Sequence, residues 1–242
     1  MKFKQILLLI FGIALIAGCA NYESSAPVRD INTRKVGKTL YHYVQPGETL
    51  YSVAWRYEKD YRKLAKLNTL ELPYSIHPGE LIQLTGRRPL LKKTSKTKQK
   101  KSQTTRAAKK TKYLASQKEP SGAVKAWRWP TKSHRVVRGF SKNNKGINIA
   151  GNYKNPVYST AKGKVVYAGN SIRGYGNLLI VKHNSAYLTA YAYNSNLLVK
   201  EGQWVKAGQQ IAQMGANNTG HVLLHFEIRK AGIPVNPLKY LS

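Results

Sequence analysis

The chain has 242 residues, enough for one large or two small domains, and 41 Lys+Arg against 10 Asp+Glu give it a formal net charge of +31. Such a balance points to an anionic partner, whether nucleic acid, acidic polymer or anionic lipid. A single cysteine, Cys19, excludes an intramolecular disulfide.

Lys2 and Lys4 precede an apolar run from Ile6 to Ala17. That run is shorter than the roughly 20 residues a membrane-spanning helix needs but suits an export signal. It ends Leu15-Ile16-Ala17-Gly18-Cys19, which is similar to a bacterial lipoprotein cleavage box. Residues 1–18 are therefore expected to be a signal peptide and Cys19 a lipidation site, several acyl chains giving stable attachment where one does not. Ala20, rather than Asp, after the cysteine implies by resemblance to envelope sorting an outer-membrane lipoprotein facing the periplasm. Export removes nucleic acid as a partner and leaves peptidoglycan, anionic lipid and lipopolysaccharide. Residues 19–39, polar and poor in apolar positions, read as a tether.

From Tyr41 to Leu84 the order is strand, helix, helix, strand. Tyr41-His42-Tyr43-Val44 alternates; Pro46-Gly47 turns the chain; Thr49 is placed to cap a helix with Leu50, Val53, Ala54 and Tyr57 on one face. Asp60 is placed to cap a second helix with Tyr61, Leu64 and Ala65 inside and Asn68 as its stop. Ile76-His77-Pro78-Gly79 then turns into Leu81-Ile82-Gln83-Leu84. In Tyr43 to Leu50, Leu64 to Asn68 and Ile76 to Leu81 this segment resembles a LysM domain, assigned to residues 40–85. The resemblance implies binding of glycan containing N-acetylglucosamine by Gly47, Glu48, Thr49 and Leu50 on one side and Ile76, His77 and Pro78 on the other. Thr49 serves equally as a plain cap, and His77 as an exposed loop residue.

Residues 86–126 form a basic linker, with 14 Lys+Arg between Arg87 and Lys125 against the one acid Glu119 and no apolar period. A disordered, self-repelling spacer is the plain reading. Electrostatic attachment to anionic lipid or wall polymer is the functional one.

From Trp127 onward short alternating runs separated by Gly, Asn and Pro predict strands near 136–137, 146–149, 156–158, 163–168, 178–183, 187–191, 209–214 and 223–229, an antiparallel sandwich or open barrel. Gly146-Ile147-Asn148-Ile149, Pro156 to Val166, Gly174-Tyr175-Gly176-Asn177 and Lys206-Ala207-Gly208-Gln209 resemble the LytM-type zinc peptidase domain, over residues 127–242. The expected fold class is thus α+β, a small βααβ LysM domain followed by a mostly-β LytM-type domain of the duplicated hybrid motif.

The resemblance also implies where zinc ligands belong: a His-x-x-x-Asp pair, a His-x-His strand and a Tyr-x-His segment. Here those positions are Asn144 and Asn148, Leu223 and His225, and Tyr191-Ala192-Tyr193. Four of the five catalytic positions have changed together. Neutral amides neither offset a dication's charge nor donate like imidazole, so neither catalytic residues nor a metal or other cofactor is expected. His183 and His221 are the alternative histidines near His225, with no acid at the expected position. A groove lined by Asn144, Asn148, Arg173, Tyr175, Tyr191, Tyr193, Leu223 and His225 is expected to bind a protein instead.

Lipoprotein signal, LysM domain, basic linker and metal-poor LytM domain together resemble the NlpD and EnvC type of murein hydrolase activator. In that family the second domain activates a periplasmic N-acetylmuramoyl-L-alanine amidase and thereby cell separation. The alternatives are a tether between outer membrane and wall and, third, a zinc endopeptidase.

Overall fold

The computed structural model describes residues 32–86 and 120–242. The signal segment, Cys19 and most of the tether and basic linker lie outside the described residues. Residues 32–242 fall in one compact unit. Among the described residues no helix is long and apolar enough to cross a membrane.

The first domain is a three-stranded antiparallel sheet in the order β1-β2-β3, with two helices. Its strands are β1 (Thr33–Val36), β2 (Thr39–Tyr43) and β3 (Leu81–Gln83), its helices α1 (Leu50–Arg56) and α2 (Tyr61–Leu67). Strand β1 lies inside the span read as a tether, because Gly37, at φ 57°, lets the chain turn back so that Thr33 to Val36 pair with β2. The capping box on α1 is reciprocal: Ser52 N donates to Thr49 Oγ1 at 3.2 Å and Thr49 N to Ser52 Oγ at 2.9 Å. Asp60 caps α2, and Asn68 ends it by donating to Leu64 O and Gln83 O while accepting from Gln83 N, which joins the helix to β3.

One expectation for α1 fails in an informative way. Its periodicity predicts a single buried face, yet Leu50, Tyr51, Ser52, Val53, Ala54 and Trp55 are all buried. A helix buried all round needs a second surface to pack against. The other domain supplies it.

That domain is one branched antiparallel sheet. Its main path runs β10-β7-β8-β9-β12-β5-β4, comprising β4 (Val136–Arg138), β5 (Ile147–Ala150), β7 (Gly163–Gly169), β8 (Asn177–Lys182), β9 (Tyr187–Leu197), β10 (Trp204–Val205) and β12 (Leu223–Lys230). Strands β6 (Pro156–Tyr158) and β11 (Gln210–Met214) branch from the far end of β9, and β13 (Ile233–Val235) borders β12. The predicted strands are present, and the sandwich arises within a single sheet. Strand β9 is long enough to pair with β12 through Tyr187 to Ala192 and with β11 through Asn194 to Leu197. Residues 120–126, assigned to the linker, include Pro120 and Val124, which are buried or packed on this domain, and Gly122 O, which accepts from Asn184 Nδ2.

Alternation then sorts the main sheet into two faces. Ile147, Ile149, Leu179, Val181, Tyr191, Leu224, Phe226 and Ile228 form the domain's own core with Val157, Ile211 and Met214 of the branch. Leu178, Ile180, Leu188, Ala190 and Ala192 point the other way and join Leu50, Val53, Trp55, Tyr61 and Leu64 in a second continuous core. A bulge in β7 lets Val165 serve the first core while Val166 and Tyr167 serve the second. The helices of the first domain therefore sit on the outer face of the second domain's sheet.

Candidate functional site: the face of strand β12

On β12 the residues Leu223, His225, Glu227 and Arg229 alternate with Leu224, Phe226 and Ile228, and the latter three lie in the domain's own core. The first set shares the opposite face. His225 pairs in register with Asn148 of β5 and Ala192 of β9.

The polar groups there are bonded to one another in a row. His225 Nδ1 is 2.7 Å from Asn148 Oδ1, and its Nε2 lies 3.1 Å from Glu227 Oε1. Tyr175 donates its hydroxyl to the same carboxylate oxygen at 2.7 Å. Arg229 donates to Glu227 Oε2 from Nε at 3.0 Å and from Nη2 at 2.9 Å, two donors on one carboxylate oxygen with both side chains buried. Burial alone raises the Glu227 carboxyl; the Arg229 charge and the His225 and Tyr175 hydrogen bonds outweigh it and hold the group below the ordinary carboxylate range.

The row continues into the LysM domain. Arg229 donates from Nη1 to the Trp55 carbonyl at 2.6 Å and its guanidinium lies 3.7 Å from the Trp55 ring centre. Around it Thr49 Oγ1 donates to Val166 O at 3.1 Å, Arg56 Nη2 to Ser171 O at 3.0 Å, and Lys145 pairs with Glu58 at 3.5 Å. Lys182, fully buried, lies 4.7 Å from the Tyr61 ring centre and 5.5 Å from that of Tyr51. The first domain thus covers the Glu227–Arg229 end of the face.

Not every residue expected in the groove lies there. Tyr191 points into the opposite core, where its hydroxyl meets Thr160 N, Thr160 Oγ1 and Thr189 Oγ1; strand alternation puts its ring on the other side from Ala192. Asn144 is buried, and its amide donates to Gly139 O and Gly146 O, holding the β4–β5 connection. Asn148, Tyr175, Tyr193 and His225 do come together, with both tyrosine rings centred 6.0 Å from the His225 ring. Leu223 lies on the same face and is buried. Tyr193 sits at φ 63°, where β9 passes from β8 and β12 to β11. Arg173 is exposed in the turn between β7 and β8.

The alternative histidines stay apart from this group. His183 is buried between Lys162 O and Thr189 Oγ1, and desolvation, partly opposed by that carbonyl, lowers it to about 4. His221 is exposed and bonded to Thr219. Among the described residues no group of three or more His, Cys, Asp or Glu is placed to hold a metal ion.

In the LysM domain two expected glycan-binding side chains face inward. Glu48 is held by His42 Nε2 and Arg56 Nη2, each at 2.6 Å, and Leu50 is 1 % exposed. The Thr49 hydroxyl accepts from Ser52 N and donates its proton to Val166 O, so it has no donor left for a sugar. Gly47, His77 and Pro78 are exposed and Ile76 half-buried, as a rim requires.

The Glu227–Arg229 pair and Trp55 went unassigned from sequence. The signal was present: period-2 spacing puts His225, Glu227 and Arg229 on one face, so a strongly charged pair on a strand that is otherwise apolar had to find partners there.

Strand order, the Asn148–His225 juxtaposition and the helical pair define a LysM domain seated on a peptidase fold. The LysM domain model matches residues 42–85 and the Peptidase family M23 model residues 142–237. Uncharacterized lipoprotein YgeR of Escherichia coli is 38% identical over 244 residues, 98% of this chain and 91% of that protein. The Lipoprotein NlpD/LppB homolog of Pseudomonas aeruginosa is 42% identical over 231 residues, covering 83% and 76%. Murein hydrolase activator NlpD of Salmonella dublin is 36% identical over 253 residues, covering 82% and 67%. The chain belongs to the NlpD family of lipoproteins and itself combines a LysM and an M23 domain.

Proposed function

We propose that this chain is a peptidoglycan-binding envelope lipoprotein that activates a murein amidase through the β12 face and performs no hydrolysis itself. The observation that carries the reading is what has become of the metal positions. Asn144 is committed to backbone carbonyls, Leu223 has no donor atom, and Asn148 and His225 are bonded to each other. Zinc needs about three ligands with an open position for water, and these residues supply one imidazole whose two nitrogens are already engaged. They do not fit the metal, so the peptidase reaction has no route here. A fold that keeps its groove without the chemistry is suited to binding, and the naming of relatives as murein hydrolase activators supports an amidase as what it binds.

The seat of the LysM domain adds a condition. An amidase that uses the β12 face competes with Trp55 and its neighbours for it, so the seated arrangement is the resting one and the partner gains access as the LysM domain lifts. Cys19 anchors the chain in the outer membrane on this reading, and the LysM domain raises its concentration at the wall.

The test is dye release from labelled peptidoglycan by the purified chain alone, with zinc or chelator, and with each candidate amidase. Release only in the presence of an amidase supports activation; zinc-dependent release by the chain alone refutes it. Arg173→Ala, at an exposed position, should lower activation without changing thermal stability.

A further inference from the structure

The groove expected for glycan on the LysM domain has a second wall. A cavity of about 410 Å³ is lined on one side by Thr49, Tyr51, Tyr74 to His77 and on the other by Lys164, Val166 and Glu201 of the M23-type domain. Its size is in the range of small-ligand sites. The LysM wall mixes the rings and apolar groups of Tyr51, Tyr74 and Ile76 with the polar Thr49, Ser75 and His77, a combination that suits an N-acetylated sugar. The facing wall brings a cation and an anion, Lys164 and Glu201, which an uncharged glycan leaves to each other.

The charges face the cavity. Lys164 and Glu201 line the same wall; burial raises the Glu201 carboxyl and the Lys164 charge opposes that rise. The Tyr51 hydroxyl across the gap is raised by its own burial, then by Tyr61, Tyr74 and Glu201, so the Glu201 charge is felt on the LysM side.

We propose that this interdomain cavity is a composite peptidoglycan site, in which the LysM wall holds the sugar while Lys164 and Glu201 read the charged peptide stem beside it. A stem offers carboxylates to the ammonium of Lys164 and, where it contains a diamino acid, an ammonium to Glu201. The inference rests on the glycan-binding reading of the LysM domain. It also requires the seated arrangement, since neither wall alone encloses the site. Partly exposed charge pairs contribute modestly, so the stem should improve affinity by about fivefold to tenfold.

The experiment is calorimetric titration of the whole chain with a peptidoglycan tetrasaccharide carrying its peptides and with the same tetrasaccharide after their removal. The wild type should prefer the peptide-bearing form. The double variant Lys164→Gln, Glu201→Gln should bind both forms equally, at the wild type's affinity for the bare sugar. Equal binding of the two forms by the wild type, or an undiminished preference in the double variant, overturns the composite site while leaving the LysM reading intact. Binding of neither form overturns both. Gly232→Val, whose added side chain would press on the backbone of Lys59 and Asp60 and unseat the LysM domain, should also abolish the preference; its survival there counts against a two-walled site.

Discussion

Arg229 of strand β12 donates to the Trp55 carbonyl at 2.6 Å and lies over the Trp55 ring, while its other nitrogens hold Glu227. One guanidinium therefore connects the β12 face to the LysM domain. Arg suits this position because its planar fork aims two N–H donors at one carboxylate oxygen and stacks on an aromatic ring at once, which an ammonium cannot do.

Truncating Arg229 leaves the Glu227 carboxylate buried with its counter-charge gone. Arg229→Ala should cost about 3–5 kcal/mol, and Arg229→Lys should recover only part of that. For a chain of this size the fall in Tm is on the order of 10 °C, measured by thermal unfolding. Acid should act on the same group. Because Glu227 is held below its ordinary value, its contribution is fully present above the unfolded carboxylate pKa and is lost as pH falls through the lowered folded value. In Glu227→Gln this part of the acid sensitivity should be absent.

Lys182 carries the opposite sign. Burial, then the charge of Arg62, pushes its ammonium down from 10.5 to about 7. The unfolded chain then binds the extra proton between those two values, so this group makes stability rise with pH from about 7 to 10.5 and leaves a constant penalty below. Lys182→Met keeps much of the volume and removes the charge. It should raise Tm at pH 7, by an amount that shrinks towards pH 10. An equal gain at both pH values would mean the ammonium is solvated.

How far the sequence could be read depended on the range of the interaction. Local rules placed the Thr49 and Asp60 caps and the Asn68 stop, each answering to neighbours within a few residues or one strand away. Strand alternation and the family resemblance placed Asn148 and His225 together. Tyr191 was assigned to the wrong face because the Tyr-x-His pattern was followed rather than the alternation that separates it from Ala192. The seating of the LysM domain was not legible at all. Neither Trp55 nor Lys182 was assigned a role from sequence, and only tertiary packing puts Trp55 against Arg229 and Lys182 beside Tyr51 and Tyr61. The reading of 33–36 as tether failed for a similar reason: a polar edge strand carries little apolar signal.

Gly232 offers a way to separate the two domains without altering the groove. It adopts φ 83° in the turn after β12, and a Cβ there would collide with the backbone of Lys59 and Asp60, which cannot yield as a side-chain tip can. Gly220, at φ 82° with open space around it, experiences the same backbone strain without the collision. Gly232→Val should therefore leave Trp55 fluorescence solvent-quenched and increase protease cutting between the domains, whereas Gly220→Val should do neither.

The most direct measurement is amidase-dependent dye release from labelled peptidoglycan by the wild-type chain, Gly232→Val and Gly220→Val at equal concentration. If the β12 face binds the amidase and the LysM domain rests on it, Gly232→Val will activate several-fold more strongly than the other two. Activation by Gly232→Val at or below the level of Gly220→Val, with the domains verified as unseated, would contradict the account.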